Sequence, residues 1–239
     1  MIKLGRNKTL EERKERLIDT LIDNKILKDK RLIKAFLDIP LEQFIPEKLW
    51  NSTNFIVAKP YEDAPNLFYY NEDNPKIYRT ISAPQMITIM LQGLNLKESD
   101  NLLILGAKSG YISALAHQLA PKGKILILEA NSDIAKLTSE NLKKQKLRKR
   151  VSVIVKNPLK GAPDLGPWQK ILVTGAIEHR EINPLLNQLD EEGGVLSAPI
   201  GPSKLHIDIQ DYTQILRQGE DFTEEKQLKV RFSPLLTID

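Results

Sequence analysis

The chain of 239 residues contains no cysteine. That absence excludes disulfides, thiolate metal sites and a cysteine nucleophile. Histidine is scarce as well: His117, His179 and His206 stand apart, without metal-ligand spacing. No apolar run approaches the ~20 residues needed to span a bilayer. The first residues, MIKLGRNKTLEERKERL, lack the apolar segment of a secretory signal, so a cytoplasmic protein is expected. Aromatic residues make up only 6% of the chain, and none interrupts the basic run KKQKLRKR at 143–150. A stacking platform for single-stranded nucleic acid is therefore not supported.

What is present suits a folded α/β protein. Hydrophobic residues reach 41%, enough for a core, and the net charge is +4. Much of the basic run reads as a helix end, where cations complement the dipole; nucleic acid is the weaker alternative. Residues 9–24 read as a helix, with Thr9 and Glu12 spaced as a capping box. A second helix is expected at 29–38, ended by Ile39-Pro40 because the residue before proline leaves the helical region. Residues 51–80, with Pro60, Pro65 and Pro75, read as a long irregular stretch.

From residue 84 the rhythm changes. Helical pattern at 86–94 is followed by strand 102–106, helix 111–120, strand 124–130 and a helix from Ser132, which is its expected cap. Strands are expected at 151–155, 170–176 and 193–201, with a helix at 182–189 between the last two. This alternation implies a parallel sheet covered on both faces. The final third shows period-two patches that fit antiparallel strands at a sheet edge.

In such sheets, ligands sit beyond the carboxyl ends of the strands. The first strand-to-helix turn, GAKSGY at 106–111, is the prime candidate, because Gly106 and Gly110 allow close backbone approach. Glu129 follows Gly110 by 19 residues, at the end of the next strand, where an acid can hold ribose hydroxyls. Turn geometry without a ligand and a solvated strand-end charge are the bland alternatives; the pairing favours a nucleoside-type ligand.

Several segments in order resemble protein-L-isoaspartate O-methyltransferases. RTISAPQMITIML (79–91) is similar to that family's T-I-S-A-P-H-M segment, IPLEQFIPEKLW (39–50) to its P-R-x-x-F-V-P, and YEDAP (61–65) to its Y-x-D-x-P. GGVLSAPIG (193–201) is similar to G-G-x-L-x-x-P-V-G, and VRFSPL (230–235) to V-x-F-V-P-L. The resemblance implies a Rossmann-like, doubly wound, mostly parallel seven-stranded sheet with helices on both faces and antiparallel C-terminal strands. It implies residues 1–80 as a helical and substrate-loop segment and 81–239 as the methyltransferase domain, together one compact unit. It further implies transfer of methyl from S-adenosyl-L-methionine to isoaspartyl carboxylates in damaged proteins or peptides, the start of their repair. By the same resemblance, Ser82 would donate its hydroxyl to the substrate carboxylate and Thr80 would shape that wall. Gly106, Lys108, Ser109, Gly110, Glu129 and Asn157 would line the donor site.

The chain departs from the family pattern around the donor. The family's E-x-G-x-G-S-G-Y reads Ile104 to Tyr111 here, with Ile104 for the acid and Lys108 for the middle glycine. Its G-D-G reads Lys156-Asn157-Pro158, Gln85 stands for the histidine of S-A-P-H-M, and the loop 66–79 lacks the glycine-rich P-I-G-x-G-Q. Each lost hydrogen bond to a charged group costs ~1.5–3 kcal/mol. Lys108 could pair with the donor's carboxylate or fill the pocket. The alternative to an active enzyme is thus a non-catalytic binding or scaffold relative with a degenerate donor pocket. A nucleic-acid methyltransferase is suggested only by the basic run.

Overall fold

The computed structural model describes residues 9–50, 59–74, 78–205 and 207–238. Pro75, His206 and residues 51–58 lie outside the described residues. The chain divides into two compact units, residues 1–89 and 90–239.

The first unit begins with α1 (Leu10–Asp23), whose N-terminus is closed by the Thr9–Glu12 capping box. Helix α2 (Lys30–Asp38) starts at Asp29, whose carboxylate accepts the Arg31 amide. Leu17, Leu21, Leu32 and Phe36 are buried, as their helical spacing requires. A 3-10 turn at Leu41–Phe44 and the short α3 (Glu47–Trp50) follow. Tyr61 joins the two proline-flanked segments: its hydroxyl accepts the Leu41 amide at 3.1 Å and donates to the Glu42 carboxylate.

The expectation of an irregular chain over 51–80 is corrected in its second half. Strands β1 (Asn66–Tyr70) and β2 (Tyr78–Ile81) pair as an antiparallel hairpin, with Leu67 opposite Thr80. Aromatic and branched residues carry that preference, and the intervening Pro75 and acids obscure it in sequence. Helix α4 (Pro84–Leu94) then leads from the first unit into the second.

The second unit is built on a seven-stranded sheet. Its strands are β3 (Leu102–Leu105), β4 (Ile125–Glu129), β5 (Val151–Val155), β6 (Lys170–Val173), β7 (Glu192–Ile200), β8 (Gln210–Gln218) and β9 (Asp221–Val230). They lie in the order β5-β4-β3-β6-β7-β8-β9, parallel from β5 to β7 and antiparallel thereafter. Helices α5 (Tyr111–Leu119), α6 (Ser132–Lys144) and α7 (Asn183–Leu186) connect the parallel strands. Leu103, Leu105, Leu126, Leu128, Ile171 and Val173 form part of one core layer. The alternate residues Ile104, Ile127 and Leu172 are equally buried, so both faces are covered. The strand order reverses between β3 and β6, which is where such sheets take ligands.

Two local expectations change. Asn131, not Ser132, caps α6: its Oδ1 accepts the amides of Asp133 and Ile134. Asparagine and serine are comparable caps, and neighbouring candidates are separable only by backbone geometry. The expected helix at 182–189 is reduced to the four residues of α7, because Pro184 fixes its start and Gln188 turns its amide back onto Pro184 and Lys160 carbonyls. The basic run closes α6, with Lys143 and Lys144 in its last turn. No helix among the described residues is long and apolar enough to cross a membrane.

Candidate donor site

The turn after β3 takes an unusual path. Gly106 has φ +93°, Lys108 +42°, Ser109 +60° and Gly110 +89°. Left-handed backbone costs an L-residue roughly 1–2 kcal/mol, so Lys108 and Ser109 are held there by their surroundings. Asn141 on α6 donates its side-chain amide to the Ser109 carbonyl at 3.1 Å. The Gly110 amide closes the turn on the Ala107 carbonyl at 2.8 Å. Gly106 could carry no side chain: a Cβ there would stand 2.4 Å from Thr174 Oγ1. Thr174 uses that hydroxyl to bind the Leu105 and Gly106 carbonyls, both at 3.0 Å, tying the ends of β3 and β6 together.

Glu129, at the carboxyl end of β4, orders the turn. It is 4% exposed. Its Oε2 accepts the Ala107 amide at 2.9 Å and its Oε1 the Asn131 amide at 2.9 Å. Each oxygen keeps a further lone pair. Glu129 therefore lies on the 106–110 turn, as the sequence spacing suggested. Ile104, by contrast, is a core residue in register with Ile127 and Leu172.

Lys108 is half-buried, and its ammonium sits 5.8 Å from the centre of the Phe232 ring. Ser109 is fully buried, and its hydroxyl has no hydrogen-bond partner among the described residues. Asn157 begins the turn after β5. Its Oδ1 accepts the Leu159 amide at 3.0 Å, and its Nδ2 donates to the Ile238 carbonyl. Among the described residues, no group of His, Cys, Asp and Glu could hold a metal ion.

Within the first unit, Thr80 lies on β2 and the buried Ser82 follows it, just before α4. The first turn of α4 is served by Asp63 of the YEDAP segment, whose Oδ1 accepts the Gln85 amide at 2.8 Å. The two proline-containing segments that sequence reading singled out separately thus meet here. Sequence reading missed Thr174, Asn141 and the C-terminal residues Phe232 and Leu235. Only the small residue pair Thr174-Gly175 hinted that backbone crowds this edge.

A glycine-lined turn at the switch point of a parallel sheet, with a buried acid from the next strand on its backbone, defines a Rossmann-like α/β protein of the methyltransferase type. Comparison narrows the class. The sequence profile of the protein-L-isoaspartate(D-aspartate) O-methyltransferase family matches residues 12–238. The protein-L-isoaspartate O-methyltransferase of Ignicoccus hospitalis is 32% identical over 228 residues, 95% of this chain and 99% of that protein. One solved protein-L-isoaspartate O-methyltransferase superposes with a TM-score of 0.75 at 22% identity, over 92% of this chain and 65% of that one. A second, from Plasmodium falciparum and in complex with S-adenosyl-L-homocysteine, gives 0.72 at 22% identity, over 93% of this chain and 97% of that one. The chain belongs to the protein-L-isoaspartate(D-aspartate) O-methyltransferase family.

Proposed function

We propose that the protein transfers a methyl group from S-adenosyl-L-methionine to the side-chain carboxylate of L-isoaspartyl residues in damaged proteins and peptides. The observation that carries this reading is the Glu129 carboxylate bound to the Ala107 amide of the glycine turn, in a chain matched by the family over 12–238. The residues present fit an adenosine: Glu129 has acceptor capacity left, and Ser109 holds a buried hydroxyl without a partner among the described residues.

When bound, the donor supplies an electrophilic methyl on a sulfonium. Glu129 would hold the ribose hydroxyls with its remaining lone pairs while it keeps the turn in place through the Ala107 amide. The turn residues Gly106, Ser109 and Gly110 would line the rest of the donor site. Ser82 donates its hydroxyl to the substrate carboxylate, and Thr80 shapes the wall beside it. A carboxylate with an ordinary pKa of ~4 is ionised at neutral pH, so the protein supplies no general base. Its task is to align the reacting atoms and exclude water, and alignment alone can account for much of the rate. The opposite charges of nucleophile and sulfonium cancel as they react, which a dry site favours.

A second reading, a non-catalytic binding protein, is favoured by one observation: both polar atoms of the Asn157 amide are engaged by the chain itself. One assay separates the two. Labelled methyl from S-adenosylmethionine should enter an isoaspartyl peptide and not its aspartyl twin. Label in neither peptide at any donor concentration supports the binding protein.

A further inference from the structure

We infer that the loop after β7, residues 201–209, is a docking surface for the polypeptide that carries the methyl acceptor. Leu205, Ile207 and Ile209 select acceptors with large apolar residues within about three positions of the isoaspartyl residue. The identity of that partner rests on the function proposed above.

Leu205, Ile207 and Ile209 are 57%, 72% and 50% exposed. They are three of the four most exposed large apolar side chains among the described residues, and they share one span of five residues. Single exposed apolar residues are ordinary on a folded chain, whereas a cluster marks a surface that meets something. A loose chain does not account for it, because the loop is braced from within. Asp208 Oδ2 accepts the Lys204 amide at 3.0 Å and the Leu205 amide at 2.8 Å. The Asp208 amide donates to the Leu205 carbonyl at 3.1 Å. Gln210 closes the loop: its Nε2 donates to the Pro202 carbonyl at 2.7 Å and to the Asp208 carbonyl at 3.1 Å. Its Oε1 accepts the Phe232 amide at 2.9 Å. At the other end the Gly201 amide donates to the Ile177 carbonyl at 2.9 Å, so the turn after β6 holds the base as well. A surface ordered before its partner arrives loses little binding energy to ordering.

The loop's position names the partner. β7 runs parallel to β6 and β3 and ends at Ile200, so the loop rises from the same carboxyl edge as the glycine turn after β3. β7 is the second neighbour of β3, about 10 Å away at ~4.8 Å per strand. With a ribose on Glu129 of β4, the glycine turn comes next along the edge, and β6 and β7 follow on the side away from β4. An extended polypeptide covers ~3.3 Å per residue. A chain whose isoaspartyl residue stands over the glycine turn therefore brings a residue about three positions away over the loop. An apolar side chain at that position leaves water against Leu205, Ile207 and Ile209, and a polar one gains nothing there. A second copy of this chain is the competing occupant, and the test separates the two.

The test uses the 239-residue protein, labelled S-adenosylmethionine and two isoaspartyl peptides that differ only in having Leu or Ser at the flanking positions. The wild type should methylate the Leu peptide with a kcat/KM about threefold to thirtyfold higher. The difference should lie in KM rather than kcat, because contacts remote from the reacting atoms hold substrate and transition state alike. Leu205→Ser, Ile207→Ser and Ile209→Ser combined should bring the ratio to within about twofold. Urea unfolding reports whether that variant folds, and Ile207→Ser alone, at the most exposed position, should still lose part of the preference. An undiminished preference in both variants would overturn the docking surface. So would equal kcat/KM for the two peptides in the wild type, which would leave the proposed function standing. A dimer in light scattering that both variants abolish, with the preference kept, would assign the loop to a second copy and overturn the proposal as well. Methyl entering neither peptide would sink the docking surface and the proposed function together.

Discussion

Glu129 holds Ala107: the carboxylate at the end of β4 accepts the amide of the second residue of the glycine turn at 2.9 Å. The same carboxylate accepts the Asn131 amide at the start of α6. One buried carboxylate therefore fixes both the glycine turn and the cap of the next helix, and its loss should be felt in stability as well as in binding.

Glu129→Gln replaces one acceptor oxygen with an NH2 that faces a backbone N–H. At least one buried amide is left unpaired, and the protein should lose about 1.5–3 kcal/mol. The midpoint of urea unfolding should fall without a change in slope. Affinity for S-adenosylhomocysteine should fall in the same variant. An unchanged midpoint would mean the carboxylate is solvated rather than structural.

Gly106→Ala carries two penalties, a left-handed φ of +93° and a contact of 2.4 Å with Thr174 Oγ1. Gly193→Ala carries the first alone, since its φ is +110° and nothing lies within 4 Å of an added Cβ. Both should destabilise, Gly193→Ala by roughly 1–2 kcal/mol for the backbone and Gly106→Ala by more. Equal losses in thermal unfolding would show that Thr174 yields freely.

Lys108→Gly has offsetting effects on the fold. It relieves a left-handed lysine, about 1–2 kcal/mol, and gives up a cation over Phe232, about 0.5–1 kcal/mol. Glycine's added freedom in the unfolded chain costs a further ~0.5–1 kcal/mol. Stability measured by urea should thus move by no more than about 1 kcal/mol. A large loss of stability would assign Lys108 a packing role that the Phe232 contact does not describe.

Burial, and secondarily the charge of Arg150, holds His117 below its ordinary pKa of 6.5. Its Nδ1 is buried without a hydrogen-bond partner among the described residues. The folded protein favours the neutral ring, so the unfolded chain takes up the proton first as pH falls. The contribution of His117 is full above pH ~6.5 and is lost as pH drops from there toward the folded-state value. His117→Gln should flatten the acid limb of the stability profile between neutrality and pH 5. An acid limb identical to that of the wild type would show that other groups carry it.

Much of this was legible in the chain because it is local or periodic. The Thr9–Glu12 capping box, the apolar runs of β3 and β4, and the spacing of Glu129 from Gly110 each follow from short-range rules. The β1–β2 hairpin was hidden because its turn residues and prolines dominate the reading of 51–80. The contacts of the C-terminal residues were hidden for a different reason. Lys108 meets Phe232 and Asn157 meets Ile238 across long stretches of chain, and a sequence shows only that two residues depart from a pattern, not what they touch. For the same reason Ile104 looked like a lost acid, although its neighbours across the sheet make it a core residue.

The most direct test of the account is a calorimetric titration of S-adenosylmethionine into the 239-residue protein at neutral pH, with Glu129→Ala alongside. The account predicts saturable binding at a single site in the wild type, with affinity clearly weakened in Glu129→Ala. No heat of binding in the wild type, or equal affinity in the two proteins, would contradict it: the turn held by Glu129 would then not be a donor site.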